Sequence, residues 1–173
     1  MIRPATRDDA SRIAEILIFA KRVTYRPIFQ NDFVSFGEMQ VLDLALSYQN
    51  DPAALDDVFV LEEDGIVKGM MRWDKNPLAQ EGAWELKELY VDLFFQGHGI
   101  GTQLMQTFVQ SAKDSGICDL FLWVLEKNKG AVRFYETQGF CDSGAREPEA
   151  GTAEFLRRFT RKSRTPEQSK SIV

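Results

Sequence analysis

The sequence is poor in the residues that cross-link secreted proteins or bind transition metals. It contains two cysteines, Cys118 and Cys141, and one histidine, His98. One disulfide would not support a secreted, cross-linked scaffold, so we interpret the chain as a reduced intracellular protein whose cysteines are small core residues. A single histidine also argues against a histidine-rich metal site or a Ser-His-Asp triad, and we predict no bound metal.

Long apolar runs are also missing. No stretch approaches the roughly 20 residues needed to cross a bilayer, and the start, MIRPATRDD, lacks a basic region followed by an apolar one. We therefore expect a soluble, cytoplasmic protein with no membrane partner. With 44% hydrophobic and 27% charged residues, the chain is expected to form one domain over residues 1–160, followed by a polar, basic tail at 161–173.

Charge is unevenly distributed along the chain. The net charge is −5, but residues 157–173 contain six basic residues and one acidic residue, which leaves −10 for residues 1–156. Such an acidic body repels nucleic acid and favours a cationic partner such as an amine. We therefore predict no nucleic-acid partner. A protein that bound nucleic acid through the tail would lose affinity steeply with salt and on deletion of residues 161–173.

The hydrophobic pattern predicts a mixed α/β fold. Predicted strands cover residues 2–5, 58–61, 66–73, 84–91, 120–125 and 155–159, and predicted helices run from about 6 to 20, 33 to 46, 100 to 112 and 129 to 138. Pro27 is expected to interrupt the chain between the first two helices. The pair Asp64 and Gly65 predicts a tight hairpin turn. The three tryptophans lie in predicted strands and are expected in the core.

The most informative segment joins a predicted strand to an amphipathic helix. It reads VDLFFQGHGIG from Val91 to Gly101, with three glycines in five positions. Glycines let several backbone amides point one way, and the helix start adds about half a positive charge, so the segment is suited to bind a phosphate. Because Thr102 and Gln103 follow the spacing G-x-G-x-G, neither the dinucleotide pattern G-x-G-x-x-G nor a P-loop is present.

This segment resembles the acetyl-CoA loop of the GNAT superfamily of N-acetyltransferases, whose pattern is Gln/Arg-x-x-Gly-x-Gly/Ala. The matching residues are Gln96, Gly99 and Gly101. A later segment is similar to the family's helix with an aromatic pair and a Gly-Phe end, and its matching residues are Asn128, Ala131, Phe134, Tyr135, Gly139 and Phe140. Leu93 departs from the pattern, since the family often has proline there. The resemblance implies an α/β (α+β) fold with a mixed, mostly antiparallel central sheet of about six to seven strands, flanked by about four helices.

The resemblance implies acetyl-CoA as the cosubstrate. Its pyrophosphate would bind the amides of Gln96 to Gly101, and its pantetheine arm would lie beside Leu89 to Val91, with the thioester oxygen bonded to the main chain near Tyr90. The full predicted cofactor-binding set is Leu89, Tyr90, Val91, Gln96, Gly97, His98, Gly99, Ile100, Gly101, Thr102, Asn128, Ala131 and Phe134. His98 is interpreted as a solvent-facing spacer, and Asn128 as a pantetheine contact or a helix cap.

The expected activity is N-acetyl transfer to a primary amine by direct attack in a ternary complex. An amine must lose a proton before it attacks, so a carboxylate is expected as general base. Glu85 and Glu88 are the candidates. They face opposite sides of a regular strand, but the family often has a bulge there, which leaves the choice open with Glu88 favoured. By the resemblance, Tyr135 protonates the departing CoA thiolate; a core aromatic is the alternative interpretation.

The sequence leaves the acceptor and the class of function open. The acceptor could be a small amine, an amino acid or antibiotic, or a peptide N-terminus or lysine, and the acidic body slightly favours a cationic one. A non-catalytic sensor or docking module that binds CoA or acyl-CoA would need the same phosphate loop. The alternative interpretation of Glu85 and Glu88 is that of surface or ion-paired residues, with Lys87 as a candidate partner. Many family members form dimers, so the resemblance also implies a homodimer.

Overall fold

The structure is a computed structural model that describes residues 1–78 and 80–162. Its strands are β1 (Ile2–Pro4), β2 (Val58–Glu63), β3 (Ile66–Asp74), β4 (Ala83–Val91), β5 (Asp119–Leu125), β6 (Cys141–Pro148) and β7 (Phe155–Lys162). The α-helices of the described residues are α1 (Ala10–Phe29), α2 (Val41–Asn50), α3 (Ile100–Asp114) and α4 (Lys129–Thr137). None of these helices is long and apolar enough to cross a membrane.

The strands form a seven-stranded mixed sheet in the order β1-β2-β3-β4-β5-β7-β6. The pairs β1/β2, β2/β3, β5/β7 and β6/β7 are antiparallel, whereas β4 and β5 are parallel. Pairing between β4 and β5 runs from Ala83 opposite Asp119 to Leu86 opposite Leu122, and β4 then continues to Val91. The predicted fold class, including its strand and helix numbers, is confirmed.

Local sequence signals explain several element boundaries. A capping box joins Thr6 and Asp9 at the 3₁₀ turn Arg7–Asp9 that leads into α1, because the Thr6 amide donates to the Asp9 carboxylate at 2.8 Å. Asp64 and Gly65 both have positive φ, 54° and 74°, as a two-residue type I′ hairpin turn requires. The predicted hairpin is therefore confirmed. The helix α3 also ends before Gly116, as predicted.

Two predictions for the first helical region are wrong. Pro27 does not interrupt the chain but lies in the last turn of α1, although its missing N–H removes one intrahelical hydrogen bond. The helix stops instead at Gln30, which has a left-handed backbone with φ 51°. The predicted helix over 33–46 is in fact two pieces, a π-helical turn at Phe33–Glu38 and the helix α2.

The strand β6 is missing from the element-by-element prediction. All eight of its residues are exposed, so its sequence carries none of the apolar alternation by which a strand is predicted. Cys141 begins this strand and is exposed, and Cys118 is half-buried, so the prediction that both cysteines are core residues is wrong. The last strand, β7, extends past Phe159 and includes Arg161 and Lys162. The rest of the predicted basic tail, 163–173, lies outside the described residues.

Contacts divide the chain into two compact units. The first comprises residues 1–72 and 88–104, and the second comprises the described residues of 73–87 and of 105–162. In the first unit α1 and α2 bury their apolar faces against β2 and β3. The core residues of this unit with no more than 1% exposure include Ala10, Ile13, Ile16, Val58, Val60 and Met70. The helical spacing of its apolar residues thus gives α1 one face that packs into the core of the first unit.

The second unit is built around aromatic packing. The rings of Trp73 and Trp84 stack with centroids 5.9 Å apart, and both contact Phe108 of α3. Both tryptophans are buried, as predicted, whereas Trp123 is only half-buried. Phe121 of β5 is fully buried within the same unit. The continuous apolar run predicted for β5 therefore lies in the core.

Candidate functional site

The segment that follows β4 begins with a turn held by Asp92. One carboxylate oxygen of Asp92 accepts a hydrogen bond from the Phe94 amide at 2.9 Å, and the carbonyl of Asp92 accepts one from the Phe95 amide at 2.9 Å. The Asp92 amide in turn donates to the Lys68 carbonyl of β3 at 2.9 Å. This 3₁₀ turn fixes the direction of the chain although Leu93 replaces the proline of the family pattern.

The second carboxylate oxygen of Asp92 binds a residue far away in sequence. Arg12 of α1 donates to it at 2.7 Å and also donates to the Val67 carbonyl of β3 at 3.0 Å. The Asp92 side chain is 10% exposed, so the ion pair is largely shielded from solvent. Arg12 thus ties the start of the loop to α1 and β3. No sequence signal identifies it, because the two partners are 80 residues apart.

A row of free backbone amides follows this turn. Gly97 and Gly99 have φ angles of 80° and 78°, which are strained for residues with a side chain. The first α-helical bond of α3 runs from the Gln103 amide to the Gly99 carbonyl at 3.0 Å. Among the described residues, none of the seven amides from Gln96 to Thr102 donates to another protein group. A Cβ added at Gly97 or at Gly99 would lie in open space.

Two side chains of the loop bind back to its own backbone. The Gln96 amide group donates to the Val91 carbonyl at 3.2 Å. The ring of His98 is exposed, as predicted, but its Nδ1 also lies 2.9 Å from the Gln96 carbonyl and 3.2 Å from that of Phe95. These contacts place the proton on Nδ1, since a carbonyl only accepts. His98 therefore faces solvent and also hydrogen-bonds to the backbone of the loop.

Gly69 allows α3 to sit close to the strands. A Cβ on Gly69 would lie 3.0 Å from a methyl of Ile100, 3.1 Å from one of Leu104 and 3.2 Å from the Tyr90 carbonyl oxygen. Any larger residue would push the first turn of α3 away from β3. Gly69 therefore sets the position of the helix start that carries the free amides.

Glu88 of β4 lies in an open charged cluster, which we define as Lys21, Arg72 and Glu88. One carboxylate oxygen is 3.8 Å from the Lys21 ammonium, and the other is 3.6 Å from Nε of Arg72. That second oxygen and Nε of Arg72 are both buried and make no hydrogen bond within the described residues. The cluster therefore contains one hydrogen-bond donor and one acceptor that no protein group uses within the described residues.

Tyrosines surround the open cluster. Tyr48 of α2 is buried, and burial together with the Glu88 charge raises the pKa of its phenol, while Arg72 opposes this rise. Tyr48 is therefore a neutral phenol at physiological pH. The hydroxyls of Tyr25 and Tyr90 are 3.1 Å apart, and the Lys21 ammonium lies 5.9 Å from the centre of the Tyr90 ring.

The remaining predicted site residues lie in the second unit. Glu85 is buried and forms an ion pair with Lys87 at 2.7 Å. Asn128 caps α4, since its side-chain oxygen accepts a hydrogen bond from the Ala131 amide at 3.1 Å, which confirms the predicted cap. Tyr135 is half-buried, and its ring packs edge-on against Phe134, another half-buried residue, and against Phe140.

The predicted site residues are thus divided between the units. The first unit holds Glu88, Leu89, Tyr90, Val91 and the loop residues Gln96, Gly97, His98, Gly99, Ile100, Gly101 and Thr102. The second holds Glu85, Asn128, Ala131, Phe134 and Tyr135. Arg12, Asp92, Lys21, Arg72 and Tyr48 are site neighbours that the sequence pattern does not reveal.

The free-amide loop and the capped helix are the segments on which the family resemblance depends. The family model for the GNAT acetyltransferases matches residues 23–140, which is more than half of the chain. The chain belongs to the GNAT acetyltransferase family. An uncharacterized N-acetyltransferase of Methanocaldococcus jannaschii is 39% identical to it over 89 residues, which are 49% of this GNAT chain. The chain spans only 39% of the length of that relative.

Solved structures agree with this GNAT assignment at the level of the fold. The PaiA N-acetyltransferase from Thermoplasma acidophilum, in complex with coenzyme A, has a TM-score of 0.68 at 20% identity, with 94% of this chain and 98% of that chain covered. A putative acetyltransferase from Salmonella typhimurium with its cofactor acetyl-CoA has a TM-score of 0.68 at 22% identity, with 95% and 94% covered. At these identities the likeness is one of fold alone.

Proposed function

We propose that this GNAT chain transfers the acetyl group of acetyl-CoA to a primary amine. The observation that carries the proposal is the row of free amides from Gln96 to Thr102, because a diphosphate is the part of acetyl-CoA that needs such donors. Membership in an acetyltransferase family supports acetyl-CoA as the donor. The amine acceptor and the residue roles below are our proposal.

The loop fits a pyrophosphate by backbone chemistry alone. Its glycines leave space above the amides, and the N-terminus of α3 adds a partial positive charge. Backbone donors need no lysine, so the acidic body does not prevent binding. By the family resemblance, Leu89 to Val91 would hold the pantetheine arm. The same resemblance assigns Asn128, Ala131 and Phe134 to cofactor binding. The group supplied by acetyl-CoA is an activated acetyl thioester.

We assign the general base to Glu88 rather than Glu85. Glu85 has one carboxylate oxygen paired with Lys87 at 2.7 Å and a side chain that is 8% exposed, so a cation already occupies that oxygen. Glu88 has a buried oxygen with no hydrogen bond within the described residues and cations no closer than 3.6 Å. Such an oxygen can accept a proton from an amine directly or through one water.

Tyr135 is assigned the role of general acid on the strength of the family resemblance. Glu88 takes the first proton of the ammonium group, the nitrogen forms a bond to the acetyl carbon, and the second proton then leaves the nitrogen to solvent water. The C–S bond breaks with its electron pair on sulfur, to which Tyr135 gives a proton. The products are an N-acetylated amine and free CoA. A non-catalytic CoA-binding module is not favoured, because Glu88 retains an available oxygen.

The proposed function is tested first at the amide loop. Gly99→Glu places a carboxylate where the diphosphate would bind, and like charges in contact cost several kcal/mol, so the Kd for acetyl-CoA should rise by at least about 100-fold. Isothermal titration measures this change. Gly65→Glu is the matched control, because Gly65 has a φ of 74° against 78° for Gly99 and also faces open space, but lies in the β2–β3 turn.

The control should bind acetyl-CoA with wild-type affinity, since it adds the same charge and a similar backbone strain elsewhere. Equal loss in both variants would mean that strain, not the loop, governs binding. A folded wild-type protein that fails to bind acetyl-CoA would overturn the proposed function. If binding is found, release of the CoA thiol across a panel of amines tests the transfer.

A further inference from the structure

The open cluster differs from the other ion pairs of the first unit. Arg12 meets Asp92 at 2.7 Å and Lys68 meets Glu63 at 3.0 Å, both within hydrogen-bonding distance. Glu88 meets its two cations at 3.6 and 3.8 Å without a hydrogen bond. The side chains of the cluster are 19% to 31% exposed, so it is reached by solvent only in part. A partly shielded group of charges that includes a donor and an acceptor without hydrogen-bond partners within the described residues is suited to bind a polar ligand.

The charges of the open cluster indicate the kind of ligand. Lys21 and Arg72 carry two positive charges against the single negative charge of Glu88. Nε of Arg72 is a free, buried donor, and its Nη2 is fixed by the Ala54 carbonyl at 2.9 Å, so the guanidinium is already oriented. An oriented guanidinium and a nearby ammonium bind a carboxylate well. The remaining carboxylate, Glu88, is complementary to an amine.

We infer that the acceptor is an amino acid or a similarly small compound that carries a carboxylate close to its primary amine. This inference rests on the proposed function. The amine lies at Glu88, which takes its proton, while the carboxylate lies at Arg72 and Lys21. Both cations lie within 4 Å of the Glu88 carboxylate. They therefore act on a ligand bound there more strongly than the distant charges of the acidic body, whose field salt screens over about 10 Å. The preference for a purely cationic acceptor, expected from net charge, is thereby reversed at this site.

The test compares amino acids with their own carboxamides as acceptors, since the pair differs in the carboxylate. With acetyl-CoA saturating, kcat/KM is measured by release of the CoA thiol for alanine, β-alanine, glutamate and lysine and for the corresponding amides. At least one acid should exceed its amide by about 10-fold or more, the size expected for one charge-assisted bond. Acids and amides used equally by the wild-type protein would overturn the inference.

Variants then locate the effect. Lys21→Gln and Arg72→Gln should each bring the acid-to-amide ratio close to one without changing the KM for acetyl-CoA, and Arg72→Lys should restore part of the ratio. Arg26→Gln is the matched control, because Arg26 is a cation of α1 that pairs with Asp32 at 2.6 Å, outside the cluster. Its ratio should stay at the wild-type value. A ratio unchanged in both cluster variants would overturn the inference.

A binding measurement separates this inference from the proposed function. The acids and amides are titrated into the CoA-saturated protein, with Lys21→Gln as a comparison if Arg72→Gln does not fold. Acids that bind the wild type and not Lys21→Gln, with no thiol release, would support the carboxylate site and overturn the transfer. Turnover of amides equal to that of acids would support the transfer and overturn the site. Absence of both binding and turnover for every acid would also overturn the site.

Discussion

Asp92 and Glu88 lie four residues apart around the end of β4, yet their carboxylates are bonded in opposite ways. Asp92 accepts from Arg12 at 2.7 Å and from the Phe94 amide at 2.9 Å, so both of its oxygens are used. Glu88 stays 3.6 and 3.8 Å from its cations and has an oxygen without a hydrogen bond within the described residues. A carboxylate whose two oxygens both accept hydrogen bonds fixes the local backbone conformation. A carboxylate with an oxygen that accepts none can still take a proton from a substrate.

The largest expected effect comes from removing the charge of Glu88. Glu88→Gln should lower kcat by about 10²- to 10⁴-fold, because an amide cannot take the proton of the acceptor amine. The Kd for acetyl-CoA should stay within about twofold, since the amide loop is untouched. Thiol-release kinetics and isothermal titration measure the two quantities. Glu85→Gln is the matched variant and should retain most of kcat; a larger loss there than in Glu88→Gln would reverse the assignment of the base.

A smaller effect is expected when the hydrogen-bonded ion pair between Arg12 and Asp92, which we call the closed pair, is broken. Arg12→Gln should lower the free energy of unfolding by about 2 kcal/mol, because it leaves the shielded Asp92 carboxylate without its cation. The loop then loses its attachment to α1, so the KM for acetyl-CoA should rise by several-fold with kcat less affected. Urea denaturation and steady-state kinetics measure these changes.

The double variant with Asp92→Asn completes the test of the closed pair. Asparagine still accepts from the Phe94 amide, so the coupling energy of the cycle reports the ion pair itself. A coupling near zero, with an unchanged KM for acetyl-CoA, would show that Arg12 does not position the loop.

The smallest effect concerns a second closed pair, Arg3 and Asp9, which is far from the amide loop in sequence. The Arg3 guanidinium binds both oxygens of Asp9 at 2.7 and 2.8 Å and is the main cause that lowers the pKa of Asp9 below its ordinary 3.8; hydrogen bonds from Thr6 add to this. A lowered folded-state pKa stabilises the fold above pH 3.8, and this contribution is lost as pH falls through the folded value.

Asp9→Asn should therefore cost about 1–2 kcal/mol at neutral pH and flatten the loss of stability in acid. Urea midpoints measured from pH 6 to pH 2 check this, and acetyl-CoA binding at pH 7 should not change. A variant with the same acid slope as the wild type would show that other carboxylates dominate the acid response. In that case the contrast between hydrogen-bonded and unbonded carboxylates would apply only to Asp92 and Glu88.

The parts of the site that sequence predicts are those built from neighbouring residues. The loop from Gln96 to Gly101 and the Asn128 cap depend on spacing within a few positions, and glycine and asparagine have few other uses there. The Arg12–Asp92 pair and the contacts of Glu88 with Lys21 and Arg72 join α1 or β3 to the end of β4 and the residue after it, across 16 to 80 residues, which no local pattern encodes. Pro27 misleads a prediction from sequence because α1 continues through it, although a proline at this point removes an intrahelical hydrogen bond and its ring crowds the preceding turn.

The exposed strand β6 has a consequence for association between copies of the chain. It forms one edge of the sheet, and its pairing with β7 shifts register between Asp142 and Arg146, around Gly144 with a φ of 82°. The strand ends at Pro148, which cannot donate to a neighbour. A bulged, charged and proline-ended edge offers no continuous ladder for strand addition, so β6 protects this side of the sheet against edge-to-edge aggregation at high protein concentration.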